Sequence, residues 1–94
     1  MLFEWDEAKN RTNRAKHEVS FETATLVFDD PRAVSVLDTI IEGEERWQTV
    51  GMAGNLVLLL VVHTYCEKGG EEFIRIISAR KATLRERKSY EQGL

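Results

Sequence analysis

Seven consecutive apolar residues, Leu56–Val62, constrain this chain more than any other feature. The run falls far short of the roughly 20 residues a membrane-crossing helix needs. The turn residues Gly54 and Asn55 precede it, and residues suited to a strand continue it to Tyr65. Alternate side chains of a strand point to opposite faces, so Val57, Leu59 and Val61 line one face and Leu58, Leu60 and Val62 the other. Both faces need cover, which places Leu56–Tyr65 at the centre of a sheet that other layers pack against. With 94 residues there is material for one hydrophobic core. No repeat, low-complexity tract or linker interrupts the chain, so residues 1–94 are expected to form a single domain.

The only proline, Pro31, divides two periodicities. Before it the spacing predicts two helices. Phe3–Trp5 is a short apolar segment, and Asp6 can cap a helix over residues 7–17, with Glu7 at its start and Lys16 and His17 at its end. Ser20 can cap a second helix near residues 21–29, where Phe21, Ala24, Thr25 and Phe28 share a side. After Pro31 the period is two. Strands are expected at Ala33–Asp38, Arg46–Ala53, Leu56–Tyr65 and Glu72–Ser78, with turns at Gly54–Asn55 and Gly69–Gly70. Thr83 with Glu86 three residues on forms a capping box for a last helix to about Glu91. The expected class is α+β: two helices, a four-stranded antiparallel sheet and a C-terminal helix, with the helices on one sheet face.

Charge is unevenly distributed. The net value of −3 combines a neutral stretch over residues 1–20, −7 over residues 21–74, +5 over residues 75–90 and −1 from Glu91. The positive block, Arg75, Arg80, Lys81, Arg85, Arg87 and Lys88, suits a phosphate backbone, and it equally suits a solvated helix face. Cys66 is the single cysteine, which excludes an internal disulfide and a cysteine-built zinc cluster. The acidic N-terminus has no basic start or apolar stretch of a signal peptide, so a reducing cytoplasm is expected.

The residues that could carry chemistry each have an ordinary structural reading too. His63 shares a strand face with Leu59 and Val61; it could be a general acid or base, or a histidine hydrogen-bonded within the sheet. Arg75 stands among Phe73, Ile74, Ile76 and Ile77 and needs an anion, either Asp38, a neighbouring glutamate or a phosphate. Arg80 and Lys81 are expected between the last strand and the last helix, beside that helix's N-terminus, which favours anions. No HExxH, Gly-rich phosphate loop or GxSxG occurs, and the carboxylates are scattered, so neither a metal nor a cofactor is expected.

Taken together, FEWD from Phe3, KHEVSFETA from Lys16, VFDDP from Val27, ERW from Glu45, VVHT from Val61 and RIISARKAT from Arg75, with Glu86, Arg87 and Tyr90 beyond, resemble the BrnT toxin family. Glu18 departs from the glycine common after Lys-His in that family. The resemblance implies a RelE-like ribonuclease fold, metal-free RNA cleavage and a ribbon-helix-helix antitoxin of the BrnA kind. It also implies that the two form a heterotetramer which binds operator DNA through the antitoxin and represses its own synthesis. Attack of a ribose 2′-hydroxyl on its phosphate needs a base, an acid and cations. On that chemistry His63, Arg75, Arg80 and Lys16 are the expected catalytic residues. Lys81, Arg85, Arg87 and His17 are expected to bind RNA, and Glu86 and Tyr90 to orient the site. The second reading is a catalytically inactive subunit that acts as corepressor of an antitoxin-type transcription factor.

Overall fold

The computed structural model describes residues 1–93. Its elements are β1 (Leu2–Glu4), α1 (Glu7–His17), α2 (Phe21–Thr25) with a 3-10 turn over Leu26–Asp29, β2 (Val34–Ile41), β3 (Glu44–Ala53), β4 (Val57–Lys68), β5 (Glu71–Lys81) and α3 (Leu84–Gln92). The strands form one sheet in the order β1-β5-β4-β3-β2. All pairs are antiparallel except β1 with β5, which is parallel.

Two expectations need correction. The sheet has five strands and is mixed, because Leu2–Glu4, overlapping the segment read only as a short apolar entry, forms an edge strand that pairs Leu2 with Phe73 and Glu4 with Arg75. Three residues carry too little alternation to announce a strand; the neighbouring β5 supplies the partner that makes them one. The helices also lie on both sides of the sheet. Phe21, Ala24 and Val27 pack with Leu59, Val61, Ile74, Ile76 and Ala79 on one face. On the other face, α3 lies over Val34, Val50 and Leu60. The apolar pattern of β4 on both faces is therefore satisfied by different helices.

Boundaries moved for local reasons. The second helix tightens to 3-10 geometry at Leu26, where Gly51 of β3 approaches; a Cβ there would stand 2.9 Å from Val27 Cγ1. Arg80 and Lys81 belong to β5 rather than to a linker, and β2 and β4 run three residues further than their alternation suggested. Glu42 and Gly43 make a tight turn with φ of 51° and 81°, which lets β2 and β3 pair up to Ile41 and Glu44.

Helix α1 docks without an apolar stripe. Asp6 caps it through the amides of Ala8 and Lys9, and its buried side chains are Asn10 and Asn13. The Asn13 amide group donates to the carbonyls of Ala79 (2.8 Å) and Val19 (2.9 Å) and accepts from the Ala79 amide. It thereby occupies the β5 edge beyond the reach of β1 as a further strand would. Asn10 accepts from the Phe21 amide and donates to Glu22, tying α1 to α2.

Candidate functional site

The chain's last strand and first helix meet at one end of the sheet. Asn13 holds α1 against Ala79, so the helix ends beside the end of β5. Lys16, His17, Arg80, Lys81 and Thr83 line an open groove there of about 540 Å³, with Ala15 and Glu18. Four residues singled out from the sequence thus come together from positions more than 60 residues apart. The α1 C-terminus favours cations and the α3 N-terminus, next to Thr83, favours anions. Glu18 places one carboxylate in the same groove.

Arg80 is held in place. Its two terminal nitrogens donate to the two oxygens of Glu86 at 2.8 and 2.9 Å. Glu86 also accepts from the Thr83 amide and completes the capping box expected from the sequence. The arginine keeps the Glu86 carboxyl below the usual carboxylate range, because its hydrogen bonds and charge outweigh partial burial. The Arg80 side chain is still about two-fifths exposed, so donors not engaged by Glu86 can meet a phosphate.

The structure does not bring the other expected residues into this groove. His63 is fully buried on the face that α2 and the 3-10 turn cover. Its Nε2 lies 2.7 Å from Thr49 Oγ1, which is itself 2.7 Å from Ser35 Oγ, so a polar chain crosses three strands. The Phe28 ring packs edge-on against it at 4.9 Å. Burial lowers its pKa to about 4, so the ring is neutral at pH 7. Arg75 has its anion in Glu4, at 2.7 Å, which the unforeseen β1 supplies in place of Asp38. The Tyr90 hydroxyl donates to Asp30 (2.6 Å), which also accepts from the Met52 amide, so this tyrosine fastens α3 to the sheet. Arg85 lines the cleft between α3 and the sheet, and Arg87 is exposed on α3.

Sequence reasoning missed a polar row on the sheet face that α3 leaves open. Thr64 pairs with Arg75 and Val62 with Ser78, and Gln48 pairs with Val62. Arg46 projects to that face by alternation. The Nε of Arg46 and the Oγ1 of Thr64 are buried without a hydrogen-bond partner. The signal was present as polar residues at alternate strand positions, but the register that aligns them was not. Among the described residues, no group of three His, Cys, Asp or Glu side chains converges as metal ligands. No helix of the described residues is long and apolar enough to cross a membrane.

Residues 5–86 match the family described as the ribonuclease toxin BrnT of type II toxin-antitoxin systems. The chain belongs to the BrnT family. The crystal structure of the ribonuclease toxin BrnT of Brucella abortus is similar, with a TM-score of 0.65 and 27% identity. The match covers 88% of this chain and 97% of the Brucella chain. Among curated proteins no sequence matches. The family carries ribonuclease toxins and, as part of type II systems, implies an antitoxin as partner. The matched residues include every residue that lines the groove, from Ala15–Glu18 to Arg80, Lys81 and Thr83.

Proposed function

We propose that this chain is a metal-independent endoribonuclease toxin that cleaves RNA in the cytoplasm, stops translation, and is neutralised by a ribbon-helix-helix antitoxin. One observation carries the reading: Lys16, His17, Arg80 and Lys81 line a single open groove at the start of α3. The reaction follows from that chemistry. A base takes the proton of a ribose 2′-hydroxyl, whose oxygen attacks the adjacent phosphorus. The bond to the 5′ oxygen breaks, and an acid returns a proton to that leaving oxygen. A 2′,3′-cyclic phosphate and a 5′-hydroxyl result.

His17 is the imidazole within the groove and takes the acid-base role for which His63, sealed in the core, is misplaced. Arg80, oriented by Glu86, stabilises the phosphorane, with Lys16 and Lys81 as further cations. Arg85, Arg87 and Arg75 extend the basic surface along α3 and the open sheet face. In this reading the toxin and its BrnA-like antitoxin assemble as a heterotetramer that binds operator DNA through the antitoxin.

The test is RNA cleavage by the purified protein in excess EDTA. Cleavage is expected to persist, and Arg80→Ala is expected to lower its rate by about 10²–10³-fold, the loss typical of one preorganised donor. Arg80→Lys restores part of it, since charge remains but the bidentate fork does not. His17→Ala is expected to be similarly slow while His63→Phe, if folded, retains cleavage. Loss of activity in EDTA that magnesium restores would overturn metal independence. Parental rates in folded Arg80→Ala and His17→Ala would overturn the site. A folded protein that never cleaves RNA but tightens antitoxin binding to DNA favours the corepressor reading.

A further inference from the structure

The opposite end of the sheet has the contrary chemistry. β2 is the outer strand, and four of its apolar side chains are turned to solvent: Val36, Leu37, Ile40 and Ile41, from 43% to 58% exposed. A strand edge of this length with such side chains invites pairing. Only Asp38, at a break in the register with β3, places a charge within this apolar stretch. Val36 and Ile41 take one face of β2 and Leu37 and Ile40 the other, where Trp47 and Tyr65 meet edge-on with ring centres 5.9 Å apart. With Ile40, Glu42, Glu44 and Glu45 they line an open cleft of about 570 Å³. The Trp47 indole nitrogen is buried and has no hydrogen-bond partner. Among the described residues the ion pairs join Lys68 and Arg75 to Glu4 and Arg80 to Glu86, so these three glutamates are unpaired.

An apolar strip with an aromatic pair and uncompensated acid repels a phosphate backbone and suits a protein segment in which aliphatic and basic side chains alternate. A cationic side chain can lie over Trp47 or Tyr65 and reach Glu44 or Glu45. We infer that the antitoxin docks here, laying a cationic, apolar segment along β2 and into the Trp47–Tyr65 cleft. This rests on the toxin-antitoxin reading above and adds the surface to it. The RNA groove lies at the other end of the sheet, so this contact anchors the antitoxin without itself covering the groove.

The experiment measures binding of the cognate antitoxin to the full chain by titration calorimetry, with hydrogen exchange on the complex. Two variants are compared, Ile40→Asp and the triple change Glu42→Lys, Glu44→Lys, Glu45→Lys, each checked for folding and for RNA cleavage. Affinity is expected to fall at least about tenfold in each, cleavage by the free protein to persist, and the amides of β2 to be protected in the complex. Parental affinity in both variants, or protection confined to the Lys16–Arg80 groove, overturns the surface. A free chain that already dimerises through β2 also overturns it. An unaltered chain that fails to bind the antitoxin overturns the partner itself, which separates that failure from a misplaced surface.

Discussion

Two single residues bear constraints that their own identities do not explain. Glu18 ends α1 with φ of 59°, in the left-handed region. An L side chain there costs roughly 1 kcal/mol relative to glycine. Glu18→Gly is therefore expected to stabilise the chain by about 1 kcal/mol, raising Tm by roughly 4–8 °C for a domain of this size. The same change removes a carboxylate from the groove, so RNA should also bind more tightly; thermal unfolding and RNA titration check the two effects. His63 sets a pH dependence. Its pKa falls from an unfolded value of about 6.5 to about 4 on folding. The unfolded chain therefore binds a proton that the folded chain refuses. Stability is complete above pH 6.5 and declines as pH falls toward 4, by up to about 3 kcal/mol. The carboxylates of Glu4 and Glu86, held low by Arg75, Lys68 and Arg80, add their losses at lower pH. Denaturant midpoints measured from pH 7 to 4.5 should fall in the parent and stay flatter in His63→Phe. Equal slopes would show that His63 does not carry the effect.

At the scale of elements, the attachment of α1 decides whether the groove exists. A helix with polar Asn10 and Asn13 as its buried residues gains little from apolar burial. Asn13 alone satisfies both backbone groups of Ala79 and the carbonyl of Val19. Asn13→Leu preserves volume but leaves those buried groups unpaired, at a cost of about 1–3 kcal/mol for an unmade bond. Unfolding should report that loss. Cleavage per folded molecule should fall as well, because Lys16 and His17 are carried to Arg80 by this helix alone. A stability loss with cleavage intact would show that the groove does not depend on α1. The capping box at α3 acts in a comparable way: Glu86 both caps the helix and grips Arg80, so local helix chemistry and site geometry share one side chain.

Across the whole molecule the net charge of −3 conceals a gradient. The turns at Glu42–Gly43 and Gly69–Gly70 lie at one end of the sheet, with Asp38, Glu44, Glu45, Glu67, Glu71 and Glu72 near them. Lys16, Arg80 and Lys81 occupy the other end, where β5 runs into α3. If three phosphates are neutralised there, the logarithm of single-stranded RNA affinity should fall with the logarithm of salt at a slope near −2. Lys81→Ala should reduce the slope by about 0.7. A slope near zero would mean that RNA does not use the basic end.

The elements were legible in the sequence wherever a local pattern sufficed. Asp6, Ser20 and Thr83 mark their helices because a cap is made within three residues. The apolar run marks the central strand because Leu58, Leu59, Leu60 and Val61 are buried on both faces, although Leu56, read as its first residue, lies in the preceding turn and is exposed. The basic character of the C-terminal segment and the BrnT motifs were legible for the same reason, being local in the chain. What only the tertiary structure decided was pairing. Leu2–Glu4 became a strand, and Arg75 gained Glu4, because β5 lay alongside. His63, read from its strand as a catalytic candidate, became a neutral core residue because the 3-10 turn and Phe28 close over it. Lys16 and His17 joined Arg80 because an asparagine amide imitates a strand edge across 66 residues of chain. Alternation and capping are set by neighbours in sequence; register, burial and the meeting of distant charges are set by which surfaces the closed sheet brings into contact.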